Sequence, residues 1–353
     1  MESSIAIHPI ESSKINTVDF NNLAFGSVFT DYMFECDFKD GQWQDPIIKP
    51  YGPLSLDPSA RVFHYGQAVF EGMKAFKDDQ GTVLLFRPDE NFKRINISAE
   101  RLAIPAFPEA YFFDGLTQLL QLETAWIKQG VGNSLYIRPF VIATEGAISA
   151  SPALEYKFMI ICSPAQAYYA GDVRVLIAEK FSRSASGGVG YAKAAGNYAA
   201  QFYPTKLANE QGFQQVVWTD ASSHQFLEEA GTMNIFFRIN DTLVTAPTSD
   251  RILDGITRKS IIQLAEDNNI AVEIRKISVS EIKAAAKDGQ LKEIFGTGTA
   301  AVINPILGFT HDNTAFEVPA TENSYATYFK EKLVNIQYNK APDVHGWRVV
   351  VGA

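Results

Sequence analysis

Lys193 lies in the stretch GGVGYAKAAGNYAA, residues 187–200, between glycines at 187, 188, 190 and 196 and beside Ala192, Ala194 and Ala195. Small neighbours let backbone and ligand approach closely, and they leave the ammonium without a bulky cover. A lysine that is partly desolvated, or placed beside another cation, gives up its proton more readily. It then becomes an amine nucleophile suited to Schiff-base chemistry. A solvated lysine on a flexible loop has the same composition, because most lysines are exposed. Taken alone, the stretch leaves both readings open.

Four other places carry residue types suited to a phosphorylated, cationic-ring ligand. Gly255-Ile256-Thr257 stands at the entry to a predicted helix, where backbone amides and the helix dipole favour an anion; Thr257 is equally an ordinary helix-start residue. Gly296-Thr297-Gly298-Thr299-Ala300-Ala301 is a glycine-rich turn leaving a strand, with hydroxyls and amides that could cradle a phosphate or carboxylate. Glu228 and Glu229 precede Ala230-Gly231-Thr232-Met233-Asn234. Paired acids at a strand edge are usually surface charge, but one buried carboxylate could hold the proton of a pyridine nitrogen. Arg94, on the helix after LLFRP, is a phosphate fork or a solvated helix residue. The five histidines show no metal-ligand spacing, and there is no serine-hydrolase elbow or Walker lysine motif.

The turn at Gly296 also fits G-x-G-x-x-A, and Glu317 follows at about 20 residues, so a nicotinamide-dependent dehydrogenase is a second reading. Against it, Pro305 stands where that fingerprint needs a helix, and too little chain follows for the remaining βαβ halves.

The elements that must position these groups fill 353 residues, enough for two domains. Residues 1–162 read as an α+β unit with a hairpin at Asp40-Gly41, another around KDDQG, two helices, and the strands SLYIRPFVIAT and YKFMIIC. That order suits helices packed on one side of a mainly antiparallel sheet. Residues 163–172 read as a link, and 173–353 as the larger unit. In the latter a helix is expected from Ala199, a hairpin around Asn240-Asp241, and a Ser278/Glu281 capping box. The composition, 46% hydrophobic and 20% charged, is that of an ordinary globular protein. A net charge of −9 argues against a general nucleic-acid or anionic-membrane binder. Cys36 and Cys162 are too few for a disulfide framework or a cysteine-ligated zinc site. With no signal peptide and no apolar run of about 20 residues, a cytoplasmic setting is expected.

These pieces together resemble the class IV, or fold-type IV, aminotransferases that use pyridoxal 5′-phosphate, and most closely the branched-chain amino acid aminotransferases. The resemblance spans nearly the whole chain. It rests on FHYGQAVFEGMKAF, LFRPDENFKRI, SLYIRP, GVGYAKAAGNY, EEAGTMNIFF, ILDGITRKS and FGTGTAA, in the family's order. It implies a smaller N-terminal α+β domain, a larger domain with a barrel-like sheet, and transamination of leucine, isoleucine or valine with 2-oxoglutarate. A D-amino-acid aminotransferase and an aminodeoxychorismate-lyase type are the alternatives within the fold.

The resemblance also implies roles. Lys193 would hold the cofactor and shuttle the substrate proton, and Glu229, rather than Glu228, would pair the pyridine nitrogen. Tyr198 would bond the ring hydroxyl. Arg94, the amides of Ile256 and Thr257, and the hydroxyl of Thr299 would bind the phosphate. Thr232 and the amide of Ala300 would receive the α-carboxylate, and Tyr65, Phe70, Tyr136 and Arg138 would line the side-chain pocket. Some pocket residues come from a neighbouring subunit in the family, which implies a homodimer. One departure is plain: mammalian members carry C-x-x-C after the glycine turn, where this chain has Ala301 and Asn304.

Overall fold

Along the strand Ser134–Ala143 nearly every second side chain is buried, the period-two pattern of a strand with one face on a core. The computed structural model, which describes residues 5–166, 172–319 and 321–352, places this strand at the centre of a ten-stranded sheet. By its internal contacts the chain divides into two units. One comprises Met1–Ala167, Ala192–Ala195 and Val334–Ala353; the other comprises Tyr168–Tyr191 and Gly196–Leu333. A single cut between 162 and 173 does not reproduce this division, because the four residues around Lys193 and the last stretch of chain group with the first unit. The strand Tyr156–Ala165 also runs into the expected link, of which residues 167–171 lie outside the described residues.

In the first unit the sheet runs in the order Ala6–Ile7, Ile47–Pro50, Tyr32–Lys39, Tyr156–Ala165, Ser134–Ala143, Met73–Lys77, Val83–Phe86 and Arg348–Val350. Every neighbouring pair is antiparallel except the first. The hairpin after Tyr32–Lys39 turns through Asp40 and Gly41, both at positive φ, as a two-residue turn between twisted strands requires. Helices Pro88–Arg101 and Glu109–Leu122 contribute Ile95, Ala99, Phe112, Leu116, Leu119 and Leu120 to one core. In the same core Phe107 and Phe158 stack at 3.6 Å between ring centroids. A side chain at Gly115 would run into the ring of Phe34, so glycine sets how closely its helix approaches the sheet.

One interruption in this sheet bears on chemistry. Ala68–Phe70 and Met73–Lys77 both pair with Ser134–Ala143, but Glu71 and Gly72 between them belong to neither strand. Opposite them stands Pro139, whose carbonyl accepts the Glu71 N–H at 2.7 Å. Proline has no N–H to return, so the ladder breaks there.

In the second unit the main path is Val272–Ile274, Thr242–Thr245, Met233–Ile239, Leu227–Ala230, Gln215–Thr219, Arg174–Ile177, Gly308–His311 and Thr314–Glu317. Leu291–Gly298 adds to the far side of Met233–Ile239 and pairs with Val302–Ile306, giving a curled sheet of ten strands. Asn240, at positive φ, turns the hairpin between Met233–Ile239 and Thr242–Thr245. The helix after Lys193 is Ala195–Glu210, four residues longer at its start than its sequence suggests, with Pro204 inside it. Ser278 Oγ accepts the Glu281 N–H at 3.0 Å and caps the helix Val279–Lys287. Among the described residues no helix is long and apolar enough to cross a membrane.

Candidate active site

Lys193 is held in the first unit by its backbone. Ala194 bridges Val69 in antiparallel fashion, the Phe70 N–H donates to the Lys193 carbonyl at 3.0 Å, and the Lys193 N–H donates to Ser98 Oγ at 2.9 Å. A strand edge on one side and a helix on the other therefore fix where this half-buried lysine starts. Its Nζ lies 5.1 Å from the centre of the Phe70 ring, within cation–π range.

Three buried residues of helix Pro88–Arg101, Asn91, Arg94 and Ser98, recur at the three- and four-residue spacing of one helix face. Ser98 meets Lys193. Arg94 and Asn91 both meet Glu71: Arg94 Nε and Nη2 donate to its two carboxylate oxygens at 2.7 and 2.8 Å, and Asn91 Nδ2 donates at 2.7 Å. Glu71 is wholly buried. Burial alone would raise its carboxyl. The charge and hydrogen bonds of Arg94, the charge of Lys193 and the Asn91 bond outweigh it and hold the group below the ordinary carboxylate range.

Phe70, Tyr136 and Arg138 come together around the same unit's central strand. Two residues apart, Tyr136 and Arg138 share one strand face, and Arg138 Nη2 donates to the Tyr136 hydroxyl at 2.9 Å. The Arg138 guanidinium lies over the Phe70 and Tyr136 rings, 4.7 and 5.3 Å from their centres. Its Nε is buried without a hydrogen-bond partner among the described residues, a donor that a ligand carboxylate would satisfy. Gly72 makes room: a Cβ there would lie 2.1 Å from the Tyr136 hydroxyl. Tyr65 is not part of this group; its hydroxyl donates to the Ile148 carbonyl on a neighbouring loop.

In the second unit Glu228 and Glu229 are both buried, and successive strand residues point to opposite faces. Glu228 takes Arg251. Glu229 takes Arg183, at 2.9 Å, and accepts from Asn234 Nδ2 at 2.9 Å and the Leu253 N–H at 3.2 Å. Cross-strand register sets Glu229 beside Asn234 and Asn234 beside Thr297, one row across three strands. The Thr297 hydroxyl is buried with no hydrogen-bond partner among the described residues. Thr232 lies with Gly231 in the two-residue turn between Ala230 and Met233. Gly231 is at positive φ and packed against Gln215, so glycine is required. Thr299, Ala300 and Ala301 form the turn between Gly298 and Val302. Tyr198 is half-buried in the first turn of Ala195–Glu210.

The helix Ile256–Asp267 begins after Gly255 with no side-chain cap. The first amides of a helix have no intrahelical acceptor, so those of Ile256 and Thr257 are available to an anion. Gly255 is required here too, because a Cβ would lie 1.8 Å from Asn234 Oδ1. Asn234 thus links the helix start to Glu229. These observations fit a phosphorylated pyridine ring: an uncapped helix start, an orphaned hydroxyl, and a buried carboxylate held by arginine.

Sequence reasoning passed over Glu71, Ser98, Arg183 and Asn234 in these roles. Glu71 and Asn234 lay inside the strings FEGMKAF and EEAGTMN, but nothing local marked which atoms they would meet. Ser98 and Arg183 carried no signal at all.

A family model described as amino-transferase class IV matches residues 68–309. Branched-chain-amino-acid transaminase 1 of Bacillus subtilis is 46% identical over 339 residues, covering 94% of this chain and 95% of that protein. Among solved structures, the branched-chain amino acid aminotransferase of Escherichia coli superposes with a TM-score of 0.74 at 21% identity, over 91% of this chain and 99% of the other. The branched-chain amino acid aminotransferase of Thermobaculum terrenum, solved in its PLP-form, gives 0.73 at 18%, over 92% and 99%. Their fold, type IV, is the fold of this chain. With the family model spanning more than half of its length and a relative this similar from end to end, the chain belongs to the class IV aminotransferases, among the branched-chain-amino-acid aminotransferases.

Proposed function

We propose that Lys193 and the groups around it carry out, on pyridoxal 5′-phosphate, the reaction of this family: amino-group transfer between branched-chain L-amino acids and 2-oxoglutarate. The relationship to the B. subtilis transaminase over nearly the whole chain carries the reaction. The cofactor is supported by the PLP-form named for the Thermobaculum terrenum enzyme and by the uncapped helix start at Ile256.

When bound, pyridoxal phosphate supplies an electrophilic carbon and a protonated ring that takes up the electron pair left as the substrate Cα–H bond breaks. Lys193 Nζ holds the cofactor between turnovers and moves the Cα proton. Glu229, ion-paired with Arg183, holds the proton on the ring nitrogen. Tyr198 bonds the ring hydroxyl. Arg94, the Thr299 hydroxyl and the amides of Ile256 and Thr257 bind the phosphate, and Thr232 and the Ala300 amide receive the α-carboxylate. Phe70 and Tyr136 offer apolar ring surface to a leucine-like chain. Arg138, whose Nε has no partner among the described residues, meets the second carboxylate of glutamate or 2-oxoglutarate in the same pocket.

The protein acts as a homodimer in this reading. Phe63, Tyr65, Ile148 and Leu154 are large apolar side chains exposed on the first unit, a surface that a second copy would cover. Tyr65 would then serve the partner's pocket. A cytoplasmic setting is supported by two buried, free cysteine thiols.

The test is direct. Purified protein should show the visible absorbance of bound pyridoxal phosphate, perturbed by L-leucine, and should transfer the amino group of L-leucine to 2-oxoglutarate. Lys193→Ala should be inactive. Turnover of D-alanine in preference to L-leucine would favour the D-amino-acid reading, and NADH consumption without the cofactor would favour a dehydrogenase. Sedimentation at the mass of one chain would remove the dimer.

A further inference from the structure

We propose that Glu71 is a positioning residue of the phosphate site: its carboxylate takes the Nε–Nη2 edge of Arg94 and so fixes the plane in which the guanidinium meets the phosphate. The inference rests on the reading above that Arg94 binds the cofactor's phosphate.

Four observations carry it. The pair is bidentate, at 2.7 and 2.8 Å, and a fork-to-fork pair fixes the plane of both partners, which a single bond does not. Glu71 is wholly buried and the Arg94 side chain only 10% exposed, so neither group exchanges its partner for water at little cost. The carboxylate is itself immobilised: Asn91 Nδ2 donates to Oε2, the Gly72 N–H reaches the same oxygen at 3.2 Å, and the Glu71 N–H is tied to Pro139. Finally, Glu71 stands at the break in the strand ladder opposite Pro139. Both of its chain neighbours serve other parts of the site: Phe70 lies under Lys193, and Gly72 makes room for Tyr136.

Glu71 also offsets part of the Arg94 charge, which by itself would weaken the hold on a phosphate. Orientation outweighs this effect. A buried arginine deprived of its carboxylate leaves two donors unpaired and turns to satisfy them elsewhere, and the flexible stem of arginine permits the turn. Held in a fixed plane, the same guanidinium meets the phosphate without that loss.

The experiment titrates the full-length protein with pyridoxal phosphate and, separately, with pyridoxal, which lacks the phosphate, following the visible absorbance of the bound cofactor. Glu71→Gln should weaken pyridoxal phosphate by about tenfold or more and pyridoxal by less than about twofold. Introduced into Arg94→Gln it should cause no further loss, because the two residues act as one unit. Asn91→Ala, which removes one neutral bond and keeps the ion pair, should shift pyridoxal phosphate in the same direction by roughly two- to fivefold. Glu71→Asp should restore part of the affinity. If Glu71→Gln does not fold, as judged by its melting curve, Asn91→Ala decides alone. Equal weakening of both ligands would overturn the proposal, as would unchanged or tighter binding of pyridoxal phosphate. Wild-type protein that binds neither ligand would overturn the functional reading itself, a separate result.

Discussion

The backbone N–H of Lys193 donates to the side-chain hydroxyl of Ser98, 2.9 Å away and 95 residues earlier in the chain. That hydroxyl also donates to the Arg94 carbonyl on its own helix at 2.9 Å. One small side chain thus connects the lysine to the helix that carries Arg94. Ser98→Ala leaves both backbone groups without this partner, and Ser98 is fully buried. The expected loss of stability is about 1–3 kcal/mol, read from urea unfolding. Because the lysine segment loses an anchor, kcat should fall more than KM rises.

Arg138 is predicted to discriminate between the two substrates. Its Nε, without a partner among the described residues, and its place over two aromatic rings suit it to a carboxylate beside an apolar wall. Arg138→Leu should raise the KM for 2-oxoglutarate by roughly ten- to a hundredfold, the worth of about 1.5–3 kcal/mol for a hydrogen bond to a charged group. The KM for L-leucine should move by less than about threefold. Steady-state kinetics of the overall reaction, with each substrate varied in turn, measure both.

Gly255→Ala tests the link between the helix start and the ring-nitrogen carboxylate. The added carbon would sit 1.8 Å from Asn234 Oδ1 and push that side chain off Glu229 and Leu253. Both the first amides of Ile256–Asp267 and the position of Glu229 should suffer, and affinity for pyridoxal phosphate should drop by about tenfold or more. Asn234→Leu, which removes the bond without the clash, should change the absorbance maximum of the bound cofactor as well as its affinity.

Away from the site, Glu123 gives the first unit a pH dependence. Its carboxyl is fully buried, and burial, reinforced by the charge of Asp31, pushes it up to about 7 against the hydrogen bond from the Tyr32 N–H. The folded state therefore binds a proton that the unfolded chain has released above its ordinary value of 4.5. Stability should be highest below that value and fall as pH rises to about 7, then level off, by on the order of 3 kcal/mol at most. Glu123→Gln should flatten that slope and be the more stable protein at pH 8, in unfolding curves taken at several pH values.

Much of the local structure was legible in the residues. Asp40-Gly41 and Asn240-Asp241 mark hairpins because only such residues adopt the positive φ of those turns at little cost. Ser278 and Glu281 mark a helix start because a hydroxyl at that spacing reaches an amide. The helix at Ile256 and the strand running into the Gly296 turn follow from the same short-range rules. The choice of Glu229 over Glu228 came from resemblance, and strand alternation then explains why the two acids take different arginines.

The partners came only from tertiary structure. The helix after Lys193 starts at Ala195 and runs through Pro204, although Gly196 and the proline both argue against helix. Its approach is anchored outside itself, by Val69, Phe70 and Ser98. Glu71 meets Arg94 because a proline in a neighbouring strand breaks the ladder, and Glu229, on a strand, meets Arg183, which lies outside any strand or helix. Residue type and short spacing determine which turns, caps and helices can form, since those depend on atoms a few bonds apart. Which carboxylate faces which cation depends on register and burial across strands far apart in the chain, and those are settled only when the core packs.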